Sequence, residues 1–88
     1  MIERQATIVN QEGLHARPAA RIVRLASMFS ADIKLVKEGF EVNGKSIMGV
    51  MMLAAECGSE ITIRGDGPDA DQAVDALVQL VADGFGEE

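Results

Sequence analysis

A lone histidine, His15, is the side chain in this 88-residue sequence best suited to nucleophilic chemistry. It lies between Gly13 and Pro18, where the polar stretch Asn10-Gln11-Glu12-Gly13 gives way to a helical pattern that begins at Ala16. Helix N-termini present N–H groups that lack intrahelical acceptors, at the positive end of the helix dipole, and so hold phosphate well. The same field disfavours an imidazolium and keeps the ring neutral and nucleophilic. Arg17, two residues on, can add charge-assisted hydrogen bonds to a bound or covalent phosphate. Together these residues describe an imidazole that carries a phosphoryl group. The sequence offers no metal-ligand cluster and no second acid–base residue beside His15. It is therefore expected to receive the group from a partner enzyme, and the chain is read as a carrier without a cofactor, not an enzyme. The competing reading makes His15 and Arg17 solvated surface residues without a role.

The elements that must position these residues follow from hydrophobic period and turn chemistry. Ala6-Thr7-Ile8-Val9 is a β-branched run and reads as a strand. Ala16 to Ser27 reads as a helix, with Pro18 in its first turn and Ala19, Ile22, Val23 and Ala26 on a buried face. Asp32 to Lys37 and Phe40 to Asn43 form a hairpin about Glu38-Gly39. Ser46 is a good N-cap for a short helix, Ile47 to Leu53. Glu60 to Gly65 alternates cleanly, with Ile61 and Ile63 inward. Asp69 and Gln72 have capping-box spacing ahead of a helix that carries Ala73, Val74, Leu77, Leu80 and Val81 and ends near Gly84. Four strands interleaved with three helices fit a two-layer sandwich with one sheet face covered by helices.

Composition narrows the function classes. A chain of 88 residues makes one domain and leaves little room for a deep substrate cleft as well as a core. A net charge of −6 and an aromatic content of 3% argue against nucleic-acid binding, which wants basic surface and stacking rings. No apolar run is long enough to span a bilayer and no secretory signal is read at Met1 to Asn10, so a cytoplasmic protein is expected. A lone cysteine, Cys57, excludes an internal disulfide and is assigned no role.

The run Gly13-Leu14-His15-Ala16-Arg17-Pro18-Ala19-Ala20 resembles the active-site motif of the HPr family, the histidine-containing phosphocarriers of the phosphoenolpyruvate-dependent phosphotransferase system. Asn43-Gly44-Lys45-Ser46-Ile47-Met48-Gly49-Val50-Met51 is similar to the regulatory region of the same family. The resemblance covers nearly the whole chain. It implies an α+β open-faced β-sandwich, with a four-stranded antiparallel sheet and three helices on one face. It implies phosphorylation of His15 on Nδ1 by enzyme I, then transfer to an enzyme IIA-type acceptor, with sugar transport as the setting. Arg17 would interact with the phosphoryl group, and the backbone N–H groups of Ala16 and Arg17 would help hold it. Ser46 would be a regulatory site for an HPr kinase/phosphorylase, with Lys45 beside it; the plainer reading of Ser46 is a helix cap.

The short helix at Ile47 has more apolar residues than one buried face can use. Val50 and Leu53 point to the core, while Ile47, Met48 and Met51 fall elsewhere and read as an exposed partner patch. The resemblance to the HPr family implies that this patch lies beside His15 as a docking surface, joined by Ala20. Between Gly13 and Ala31 there are three arginines and no acid, so Arg17, Arg21 and Arg24 form a basic stripe on an acidic protein. Arg21 and Arg24 would steer acidic partner surfaces. The C-terminal stretch, with Gly84-Phe85 and an acidic end at Glu87-Glu88, is similar to the nitrogen-related branch of the family. That branch, and a partner-binding module that is never phosphorylated, stay open as alternatives.

Overall fold

The computed structural model describes residues 1–86; the acidic end, Glu87 and Glu88, lies outside the described residues. In chain order the elements are β1 (Ile2–Thr7), α1 (Ala16–Ala26), β2 (Asp32–Lys37), β3 (Phe40–Asn43), α2 (Ile47–Met52), β4 (Glu60–Asp66) and α3 (Ala70–Ala82), followed by a single turn of 3₁₀ helix at Gly84–Gly86. The four strands form one antiparallel sheet in the order β1-β4-β2-β3. It is the open-faced α+β sandwich.

Alternation along the strands explains the single covered face. Ile61, Ile63, Ile33, Leu35 and Val42 turn inward and are buried, and they pack with Ile22, Val50, Val74 and Leu77 from the three helices. Ile2, Arg4 and Ala6 stand opposite Gly65, Ile63 and Ile61 and so share that inward face. There Arg4 reaches Asp75 of α3, with Nη1 2.8 Å from the carboxylate. Gly65 lets α3 come close, because a Cβ there would stand 2.8 Å from Val74 Cγ2. The other face of the sheet stays polar. On it Arg64 lies 2.7 Å from Glu3 and 3.6 Å from Glu41, bridging both edge strands.

Three sequence expectations need correction. The first strand is not Ala6 to Val9: it begins at Ile2 and ends at Thr7. The alternation of Glu3 and Gln5 outward with Ile2 and Ala6 inward is that of an edge strand, which an apolar-run criterion misses. Leu80 and Val23, assigned to buried helix faces, are half-buried. Asp69 is the N-cap residue of α3, but its side chain makes no capping hydrogen bond. Its carboxylate instead accepts from the Ser30 N–H at 2.9 Å and the Ala31 N–H at 2.8 Å, tying the α1–β2 loop to the start of α3.

The hydrogen bond from the Ser30 N–H, opposed by desolvation and supported by the bond from the Ala31 N–H, holds the Asp69 carboxyl below its ordinary value. A carboxyl more acidic in the folded than in the unfolded chain stabilises the fold above its unfolded pKa, and that contribution is lost as pH falls through the folded value. Asp69→Ala is therefore expected to lower the denaturation midpoint at neutral pH. The gap from wild type should close as the pH is taken down into the acid range, measured by urea denaturation at several pH values.

Candidate functional site

The loop before α1 is locked from both sides. Asn10 is buried, and its Nδ2 donates to the Gly13 carbonyl at 2.9 Å. The Gly13 N–H returns to the Asn10 carbonyl at 3.2 Å, and the Leu14 N–H donates to Ala55 O at 2.9 Å. Gly13 takes φ +71°, and a Cβ there would stand 2.5 Å from that same Ala55 oxygen. Only glycine fits both the left-handed backbone and the contact. Leu14 and Ala55 are themselves buried.

This places His15 at the N-cap of α1, in extended backbone conformation. Its carbonyl accepts the first helical bond, from the Ala19 N–H at 3.0 Å. The N–H groups of Ala16 and Arg17 precede that bond and have no acceptor within the helix, while Pro18 has no N–H to satisfy. The His15 side chain is 39% exposed, and its Nε2 lies 3.9 Å from Glu12 Oε1. His15, Arg17 and Arg21 line an open cleft of about 1060 Å³ together with Glu12, Asp83 and Gly84. Among the described residues no group of three or more His, Cys, Asp or Glu is placed to hold a metal ion, and no helix is long and apolar enough to cross a membrane.

Ser46 caps α2, its Oγ accepting from the Gly49 N–H at 3.1 Å. Lys45 beside it is committed elsewhere, with Nζ donating to the Phe29 carbonyl at 2.8 Å. Val50 and Leu53 are buried, while Ile47, Met48 and Met51 are exposed, Met48 to 74%. Met52 is 64% exposed and extends the patch, a residue the sequence reading left out of it. Ala20 is half-buried and Arg24 exposed. Arg21 departs from the expected solvated stripe: it is half-buried, and its guanidinium donates to the Phe85 carbonyl.

Two further residues of the site, Glu12 and Asn10, were missed from sequence. Glu12 sits one helical turn's spacing before His15, and Asn10 and Gly13 have the spacing of a side-chain-to-backbone turn. Both signals were present in the polar loop.

The family model described as the HPr component phosphorylation site of the phosphotransferase system matches residues 2–83. A phosphocarrier protein HPr from Cupriavidus necator is 51% identical over 99% of this chain and 98% of its own length. A phosphocarrier protein NPr from Shewanella violacea is 44% identical over 98% of this chain and 94% of its own. A crystal structure of HPr from Thermoanaerobacter tengcongensis superposes with a TM-score of 0.96 at 45% identity, covering 100% of this chain and 99% of that one. The chain belongs to the HPr family of phosphocarrier proteins.

Gly13→Ala is expected to destabilise the protein by about 1–3 kcal/mol, through a disfavoured backbone region and the collision with Ala55. Urea denaturation gives the loss. Backbone amide shifts confined to residues 10–17 and 53–57 would locate it.

Proposed function

We propose that this chain accepts a phosphoryl group on His15 Nδ1 from enzyme I, charged by phosphoenolpyruvate, and passes it to an enzyme IIA-type acceptor. The observation that supports this most is the position of His15 at the N-cap of α1, beside the N–H groups of Ala16 and Arg17 and in one cleft with the Arg17 guanidinium. In the step itself the Nδ1 lone pair attacks phosphorus and a new N–P bond forms. The donor's bond to phosphorus breaks, and the donor keeps that electron pair. Glu12, 3.9 Å from Nε2, favours a proton on that nitrogen and so supports Nδ1 as the nucleophile. The helix end and Arg17 then stabilise the dianionic group. The reverse sequence at an acceptor regenerates the neutral ring.

All 88 residues act as a single carrier domain in the cytoplasm. The exposed apolar patch of α2, with Ala20 and Arg24 from α1, meets successive partners, and methionine side chains adapt to differing surfaces. Ser46 is a regulatory phosphorylation site for an HPr kinase/phosphorylase. A phosphate on its oxygen lies at a helix N-terminus, which tolerates it, and adds about two negative charges beside the patch. Lys45, held by Phe29 O, contributes to that loop's shape more than to a free charge. A second reading, transfer within a nitrogen-related branch, is favoured by the NPr relative; the choice of acceptor separates the two.

Incubation with phosphoenolpyruvate and a bacterial enzyme I is expected to add the mass of one phosphate, labile in acid. The His15→Ala variant should fold normally and gain nothing; acceptance retained in that variant would place the site elsewhere. Ser46→Asp should slow acceptance from enzyme I by about tenfold or more, through charge repulsion at the docking face. An unchanged rate would reduce Ser46 to its capping role.

A further inference from the structure

Arg21 differs from its helical neighbours Arg17 and Arg24. Those two are exposed, whereas Arg21 is half-buried and donates from Nη1 to the carbonyl of Phe85, 64 residues away. The turn that it grips is unusual. Gly84, Phe85 and Gly86 all have positive φ, at 64°, 61° and 74°. A non-glycine residue holds that conformation only when its surroundings enforce it. One enforcing element is the Phe85 ring, which is fully buried in the core. The other is Arg21. A Cβ on Gly86 would stand 2.9 Å from Nη1, so the guanidinium lies directly against the turn.

The turn is also part of the phosphoryl site. Gly84, Gly86 and the preceding Asp83 line the cleft that contains His15 and Arg17, and Arg21 lines it too. A guanidinium has five N–H donors, and the bond to Phe85 engages one of its nitrogens while fixing the plane of the rest. We propose that Arg21 is a positioning residue. By tying the Phe85 carbonyl to α1 it holds the Gly84–Gly86 turn as a fixed wall of the His15 cleft, which limits water at the phosphohistidine and keeps a second cation beside Arg17. This role rests on the carrier reading above, and it removes Arg21 from the set of freely solvated docking charges.

Two variants test it: Arg21→Met, which keeps the aliphatic stem and loses the donor, and Arg21→Lys, which can restore one bond to Phe85 O. In Arg21→Met the Gly86 amide is expected to exchange with solvent roughly tenfold faster, with β4 amides unchanged. The phosphorylated protein should lose its phosphate about threefold faster. Arg21→Lys should recover part of both. Gly86 exchange that does not change overturns the tie. Equal acceleration across β4 reduces Arg21 to general stability and overturns the positioning role. A higher KM for enzyme I with an unchanged phosphohistidine lifetime makes it a docking charge and also overturns that role. If the wild-type protein takes no phosphate from enzyme I, the carrier reading fails and the role in the cleft fails with it, while the exchange result separately decides whether the tie exists.

Discussion

The bond from the Leu14 N–H to the Ala55 carbonyl, with Gly13 folded against the same oxygen, is the constraint on which the rest depends. It joins two loops far apart in sequence, one leading into α1 and the other leading out of α2. One loop presents His15; the other ends the helix that carries the exposed methionines. Because Leu14, Val50, Leu53 and Ala55 are all buried around this junction, the histidine and the α2 patch are held in one rigid frame. A site set in such a frame keeps its geometry without having to be rebuilt on each encounter.

The two sides of the molecule divide the labour. The outer sheet face is polar and laced by ion pairs around Arg64, which contribute little stability each but keep that face soluble. The helical side carries the exposed apolar residues of α2 and the acid-free helix α1. A net charge of −6 with a locally basic helix makes the surface field uneven. The cleft brings His15 together with Arg17 and Arg21 and with the acidic residues Glu12 and Asp83.

Much of this was legible in the sequence because the signals were local. The helix period fixed α1 and α3, clean alternation fixed β4, and Ser46 announced the start of α2, where its hydroxyl caps Gly49. His15 and Arg17 stood out because they lie at the N-terminus of a helix, whose N–H groups and dipole favour a phosphate. The misreadings share a cause in long-range contacts. Asp69 had capping spacing, but the N–H groups of Ser30 and Ala31 offered its carboxylate better partners than its own helix did. Arg21 had the spacing of a solvated stripe, yet Phe85 claimed its guanidinium from the far end of the chain. β1 was under-read because its polar residues face solvent from an edge strand and break up the apolar run by which it was sought.

The most direct test of the central claim is nitrogen-15 NMR of the phosphorylated protein, labelled in the imidazole ring and the backbone. The account predicts one phosphorus-coupled ring nitrogen, Nδ1 of His15, and downfield shifts of the Ala16 and Arg17 amide protons as they take up the phosphoryl oxygens. Phosphorus on Nε2, or unmoved Ala16 and Arg17 amides, would contradict the arrangement of histidine and helix end described above.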